Sequence, residues 1–336
     1  MGFPMFNGTE YLMSAPAGYE PDFANPYKDT TTINATYWVF GIGFILSLLF
    51  FGQRLYTSSF IRSPWKSDDY FFLVSWIVTT AAKILIIVCL IHGVLGVHVW
   101  EIPLDAVIWE TKLIHATTLI VIPGTVLAKL SLCIFYDRLV PNRWYRFSLC
   151  FTGGLTICAF GVVWFCVFFA CRPIEAAWNL RLLDGASCIN RPPVYMLQAI
   201  MGGVTDLLLV ILTVPTILKL QMSWRQKARA VALFSTGFLT LGAAVARLVV
   251  LIPSLKNPDT TFVLAQGTLW LIVEVDMITI CGSLPTLGVF LNHFAPRVLR
   301  ESGPPADMRY ALATFGGTPN QGKLSHSHDS EENLVV

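Results

Sequence analysis

The sequence predicts an all-α polytopic membrane protein, a bundle of seven transmembrane helices with its amino terminus outside and its carboxyl terminus cytoplasmic. Three observations predict it. Of 336 residues, 54% are hydrophobic and 13% charged, with a mean hydropathy of +0.61, whereas a soluble domain carries about 25% charged residues. The apolar residues gather into seven runs of spanning length, and the basic residues between those runs fall mostly on one side.

The runs occupy residues 35–56, 70–92, 113–136, 147–170, 195–218, 230–252 and 262–291. Each reaches the roughly 20 residues that a helix rising about 1.5 Å per residue needs to cross about 30 Å of hydrocarbon. Backbone polar groups find no partner in lipid, so runs of this length are read as α-helices. Pro215 lacks the N–H that would bond one turn back, which predicts a bend in the fifth span.

Arg54, Arg62 and Lys66, then Arg138, Arg143 and Arg146, then Lys219, Arg225, Lys227 and Arg229, and finally Arg297, Arg300, Arg309 and Lys323 share one side of the membrane. The other holds Lys28, Lys112, Arg172, Arg181, Arg191 and Lys256. The basic side is the cytoplasmic one. Residues 1–34 are therefore an outer or lumenal tail, 35–294 the membrane domain, and 295–336 a cytoplasmic tail. That tail is polar and turn-rich, with Gly303-Pro304-Pro305 and Gly316-Gly317, and is expected to be disordered. Residues 1–32 hold no continuous apolar core and carry four prolines, so the first span is expected to act as the targeting signal. Phe6 stands where a myristoylation motif wants Ser or Thr. The protein is placed in a membrane as a multi-pass chain, with plasma membrane and endomembrane both open.

The outer side carries two sequons, Asn7-Gly8-Thr9 and Asn34-Ala35-Thr36. Both are glycosylation candidates, with Asn7 the better placed because Asn34 abuts the first span. Cys89, Cys133, Cys150, Cys158, Cys166 and Cys281 fall in or beside apolar runs, where a thiol behaves as a small hydrophobe. Cys171 and Cys188 lie in the outer loop between the fourth and fifth spans, where they either remain free or close a disulfide worth about 3 kcal/mol.

Six ionisable residues lie within the spans: Lys83, Lys129, Asp206, Arg247, Glu274 and Asp276. Charge in hydrocarbon is costly, so three bases and three acids are expected to pair off inside the bundle. Arg247 and Glu274 sit at similar depth and form the first expected pair. Successive helical residues turn by about 100°, which sends Glu274 and Asp276 to different faces. Trp270, Glu274, Cys281 and Pro285 share one face, so a pocket lined by Trp270, Glu274 and Arg247, with Asp206 deeper, is the candidate ligand site. Two readings of the charges stand beside it: satisfied pairs that fix helix rotation, or a desolvated acid that donates a proton to a ligand or substrate.

Other chemistries lack their residues. His92, His98, Glu101, Asp105, Glu110 and His115 fit no tight zinc pattern and are read as a hydrated loop. The seventh span has no Lys for a retinal Schiff base, and the chain shows no phosphate loop, Asp-rich diphosphate motif or His-box. No cofactor or metal is expected. A formal net charge of +2 gives no field suited to nucleic acid. Asp137-Arg138 is followed by Leu139, and no Asn-Pro-x-x-Tyr ends the seventh span, so the receptor-like dipeptide is read as coincidence.

Several segments, taken together, carry a family resemblance. They are Trp65-Lys66-Ser67-Asp68-Asp69, His92-Gly93-Val94-Leu95-Gly96-Val97-His98, and the run from Lys129-Leu130-Ser131 to Asp137-Arg138. Cys171-Arg172-Pro173, Trp178 and Cys188 follow, then Asp206 with Pro215, Arg247, and Trp270, Glu274, Cys281 and Pro285. Over residues 40–294 the chain resembles the fungal rhodopsin-like domain family, which includes satratoxin-cluster integral membrane proteins and Pth-type fungal receptors. It departs in two places: the first glycine after the second span is displaced, and no cysteine-rich domain precedes the spans.

The resemblance implies the Cys171–Cys188 loop and Glu274 as family features. It also implies a multi-pass protein that binds or handles a hydrophobic small molecule within a fungal secondary-metabolite pathway, its partners being the lipid bilayer and that molecule. Two alternatives are kept. One is a G-protein-coupled-receptor-like sensor, engaging a cytoplasmic signalling partner through residues 138–146 and 219–229. The other is a membrane cyclase or isomerase with Glu274 or Asp206 as general acid. A transporter fits less well, because no internal repeat is visible.

Overall fold

Helix starts in the computed structural model follow the chemistry of the residues just before them; the structure describes residues 4–6, 9–15, 19, 26–62, 64–139, 142–218, 224–255 and 259–294. Helix α1 (Thr30–Tyr56) begins at Asp29, whose Oδ1 accepts from the Thr32 N–H at 3.1 Å and so caps an orphaned donor. A π-helical turn, Thr57–Ile61, extends it. Helix α2 (Ser67–Ile91) carries Asp68 and Asp69 in its first turn, where negative charge complements the helix dipole. Helix α3 spans Leu104–Leu139, and α4 (Arg143–Phe168) is capped by Asn142, which accepts from the Trp144 N–H at 3.1 Å. Helices α5 (Arg191–Leu218), α6 (Trp224–Leu251) and α7 (Thr260–Phe294) complete the bundle.

Among the described residues, six helices are long and apolar enough to cross a membrane, and α6 is apolar over the shorter stretch Ser235–Leu251. The chain is thus an all-α, multi-pass membrane protein. Helices adjacent in sequence pack together from α2 through α6. The α2–α3 contact is close because Gly124 has no side chain: the Ser75 hydroxyl donates to its carbonyl at 2.7 Å, and a Cβ there would lie 2.7 Å from Thr79 Cγ2. Small residues permit such approach between membrane helices. Ala82, Val121, Phe160, Val163 and Val275 form a mid-bundle core shared by α2, α3, α4 and α7.

One end of the bundle is roofed by connections, and we call it the disulfide end. Gly93 and Gly96, at φ 72° and 86°, turn the chain after α2 through conformations that a Cβ disfavours. The Gly96 carbonyl then accepts from the Asp29 N–H at 3.0 Å. Strands β1 (Met5–Phe6) and β2 (Thr9–Glu10) form a hairpin, and single bridges join Tyr11 to Pro103 and Lys28 to Val97. Strands β3 (Cys171–Arg172) and β4 (Ser187–Cys188) pair antiparallel with the two cysteines opposite, and Cys171 and Cys188 are disulfide-bonded. Arg181 ties this loop to α3 through Asp105 at 2.9 Å and to the hairpin through Glu10 at 3.5 Å. With the cysteines 17 positions apart in the chain, replacing both by Ser is expected to lower stability by about 3 kcal/mol. Chemical unfolding in micelles, with and without reductant, checks this.

The roof overturns one expectation. The third helix begins at Leu104, not residue 113, and part of the region read as a hydrated loop is closed: Glu101, Glu110 and His115 are 2%, 3% and 5% exposed, while His92 and Asp105 are exposed. The cause is tertiary. Glu101 accepts from the Tyr27 N–H at 2.6 Å and from the Tyr19 hydroxyl, which pulls the amino-terminal segment across the start of α3. The tail at 295–336, Asn7 and the connection at 219–223 lie outside the described residues.

Candidate functional site

The six charges within the spans form three buried ion pairs. Lys83 on α2 meets Asp276 on α7 at 2.6 Å, Lys129 on α3 meets Asp206 on α5 at 3.0 Å, and Arg247 on α6 meets Glu274 on α7 at 2.9 Å. Lys129 donates further to the Gly202 carbonyl at 3.0 Å and the Thr205 hydroxyl at 2.7 Å. Opposite charges at these distances, each buried, compensate one another where water cannot. Glu274 and Asp276 do face different helices, as two-residue spacing requires.

The opposite end of the bundle, called here the Arg54 end, holds a second network. The Arg54 guanidinium, 2% exposed, reaches Asp68 Oδ2 at 3.1 Å, Asp69 Oδ1 at 3.3 Å, the Gly282 carbonyl at 2.6 Å and the Ser131 hydroxyl at 3.3 Å. It also lies 4.1 Å from the centroid of the Phe72 ring. One side chain thereby joins α1, α2, α3 and α7. Arg138 Nη2 approaches Asp68 Oδ1 to 2.7 Å, an ionic contact without hydrogen-bond alignment. Lys66, beside this cluster, is held below the usual lysine range by burial first, then by the like charges of Arg62 and Arg138.

Beneath the roof lies a cavity of about 300 Å³. Glu110, Thr111, Ile114 and His115 of α3 line it, with Arg191 and Tyr195 of α5, Leu264 of α7, and Leu12, Val99 and Leu180 from the roof. Glu110 Oε1 is buried without a hydrogen-bond partner among the described residues. Arg191 donates to the Ala177 carbonyl, pinning the disulfide loop to the start of α5. A cavity of this size with an apolar wall and a few convergent polar groups has the form of a small-molecule site.

The residues expected to line a pocket are arranged differently. Arg247 and Glu274 are brought together but are engaged with each other, and Trp270 is half-buried one turn away; none of the three lines this cavity. Asp206 borders a separate space of about 30 Å³ with Lys129, Tyr136 and Cys281, its Oδ2 unpartnered among the described residues. That space has room for a water molecule. Asn34 stands exposed within α1 rather than in a loop, and the Thr36 of its sequon is buried with its hydroxyl on the Thr32 carbonyl at 2.8 Å.

Glu110, His115 and Arg191 were not singled out as ligand residues from the sequence. Two signals pointed to them: Pro103 before Leu104-Asp105 marks a helix start, and Arg191-Pro192-Pro193 marks another. Both mark helices that meet under the roof: Arg191 opens α5, while Glu110 and His115 lie about two and three turns into α3.

Among the described residues, six apolar helices of spanning length and a seventh with a shorter apolar stretch, with charges paired inside the bundle, make this an all-α polytopic membrane protein. The chain belongs to the fungal rhodopsin domain family, whose model matches residues 53–293. It is 26% identical to "Receptor GIN3" of Arthrobotrys oligospora over 216 residues, 62% of this chain and 50% of that one. It is 26% identical to "Fugralins biosynthesis cluster protein 2" of Gibberella zeae over 152 residues, 45% of this chain and 36% of the other. A "SAT4 family membrane protein" of Emericella nidulans is 25% identical over 243 residues, 71% of this chain and 57% of that protein. The chain thus spans roughly a third to just over half the length of these relatives. No solved structure matches.

Proposed function

We propose that this protein binds a hydrophobic small molecule in the cavity under the roof and handles it within a secondary-metabolite pathway. The observation that carries the reading is the space of about 300 Å³ walled by α3, α5 and α7 and bordered by the disulfide loop. Relatives named for biosynthesis clusters support the pathway. In this reading the disulfide end faces outward or into a lumen, because a disulfide suits an oxidising compartment and Arg54, Arg62, Arg138, Arg143 and Arg146 crowd the other end. The Arg247–Glu274 and Lys129–Asp206 pairs set the rotation of the helices that wall the cavity.

The test is co-purification from a producing fungus. A small molecule identified by mass spectrometry should accompany the wild-type chain and fall by about tenfold or more with Ile114→Trp, which fills the cavity at about 1–3 kcal/mol of packing strain. Equal recovery from both, with the variant folded, would overturn the reading.

A receptor is the second reading. It draws on the relative named as a receptor and on the Arg138–Asp68 contact, which could transmit cavity occupancy to a partner at the Arg54 end. An enzyme would use Glu274 or Asp206 as an acid, yet both already sit on a base. An unchanged metabolite profile in folded Glu274→Gln and Asp206→Asn strains removes the enzyme.

A further inference from the structure

The cavity under the roof has two side chains of formal charge among its described lining residues, Glu110 and Arg191. Neither has an ion-pair partner among the described residues, whereas all six charges in the middle of the bundle do. Glu110 is 3% exposed, and its Oε1 has no hydrogen-bond partner among the described residues. Such a group is normally satisfied by protein or by something bound. Arg191 has spent one N–H on the Ala177 carbonyl, and a guanidinium has five to give. The remainder of the wall includes Ile114, Leu180 and Leu264, which suit a hydrocarbon body.

We propose that the cavity takes a lipophilic carboxylic acid, its carboxylate held by Arg191 and a hydroxyl elsewhere on the molecule held by Glu110. The proposal rests on the reading of this cavity as a ligand site. Charge decides between ligand classes. A carboxylate neutralises Arg191 and accepts from its planar fork, the geometry in which a guanidinium excels. A basic amine would meet Glu110 but would be repelled by Arg191, whose guanidinium cannot shed its charge, whereas a carboxyl such as Glu110 can take up a proton beside a carboxylate ligand. A plain hydrocarbon would leave both groups unanswered. A hydroxyl suits Glu110 because it both donates and accepts, and so satisfies the carboxyl in either protonation state.

The test uses the full chain in phosphatidylcholine nanodiscs, with the Ile114→Trp chain as the background for lipid partitioning. Four labelled probes are dialysed to equilibrium: dodecanoic acid, ω-hydroxydodecanoic acid, methyl dodecanoate and dodecylamine. The acid should bind about tenfold or more tightly than its ester, the scale expected of a charge-assisted hydrogen bond. The hydroxy acid should bind more tightly still, and the amine not at all above background. Arg191→Gln should abolish the preference for acid over ester, and Arg191→Lys, which keeps the charge but loses the planar fork, should retain part of it, which separates charge recognition from any loosening of the roof. Glu110→Ala should remove only the preference for the hydroxy acid. Equal binding of acid and ester to the wild type overturns the proposal, as does tighter binding of the amine, loss of no preference in Arg191→Gln, or no binding above background. If the ester binds as well as the acid and is excluded by Ile114→Trp, the carboxylate is lost but the ligand-site reading stands; the co-purification experiment tests that reading separately.

Discussion

Replacing Glu274 by Ala is expected to cost about 3–5 kcal/mol of stability, because it leaves the Arg247 guanidinium buried with no anion. The wild-type contact is 2.9 Å between buried groups, so no water stands ready to take the carboxylate's place. A domain's whole stability is about 5–15 kcal/mol, and the loss should be visible as a lower midpoint of chemical unfolding in micelles. The double variant Arg247→Met, Glu274→Met should recover most of it, since removing both charges also removes both desolvation costs. If the single variant unfolds at the wild-type midpoint, the pair does not compensate charge in the folded protein.

Arg54→Ala is expected to have an effect of the same order, about 3–5 kcal/mol, for a different reason. Two carboxylates, Asp68 and Asp69, lose a shared cation, and the Gly282 carbonyl loses its 2.6 Å donor. Arg138 remains near Asp68 but is more exposed and serves one carboxylate. Arg54→Lys keeps the charge while losing the planar fork that ties α1 to three other helices at once, so it should recover only part of the loss. Unfolding midpoints of the two variants, measured side by side, check the order: wild type, then Lys, then Ala. A Lys variant equal to wild type would mean that charge alone holds this end.

The helices were legible because lipid leaves the backbone one economical conformation, so a run of about 20 apolar residues reads as a span with little help from context. The pairing of Arg247 with Glu274 was legible for a related reason: similar depth in adjacent spans leaves few candidates. The first turns of α3 were not, since they carry Asp105, Glu110 and Lys112, which resemble a loop until the roof is folded over them. Arg54 misled in the same way. It was counted with the basic residues of the cytoplasmic side, yet it is buried because Asp68 and Asp69 at the next helix start turn inward to meet it. Burial at the ends of a bundle depends on what covers them, and a linear pattern carries little of that.

The Lys83–Asp276 pair joins residues 193 apart in sequence. A ribosome adding about 5–20 residues per second needs on the order of 10–40 s to cover that separation. Through that interval Lys83 must reside in a helix whose counter-charge does not yet exist. The second helix therefore has to be sheltered while the chain is being made, at the edge of the insertion machinery or beside water, and the seventh helix is the segment that seals the bundle at birth.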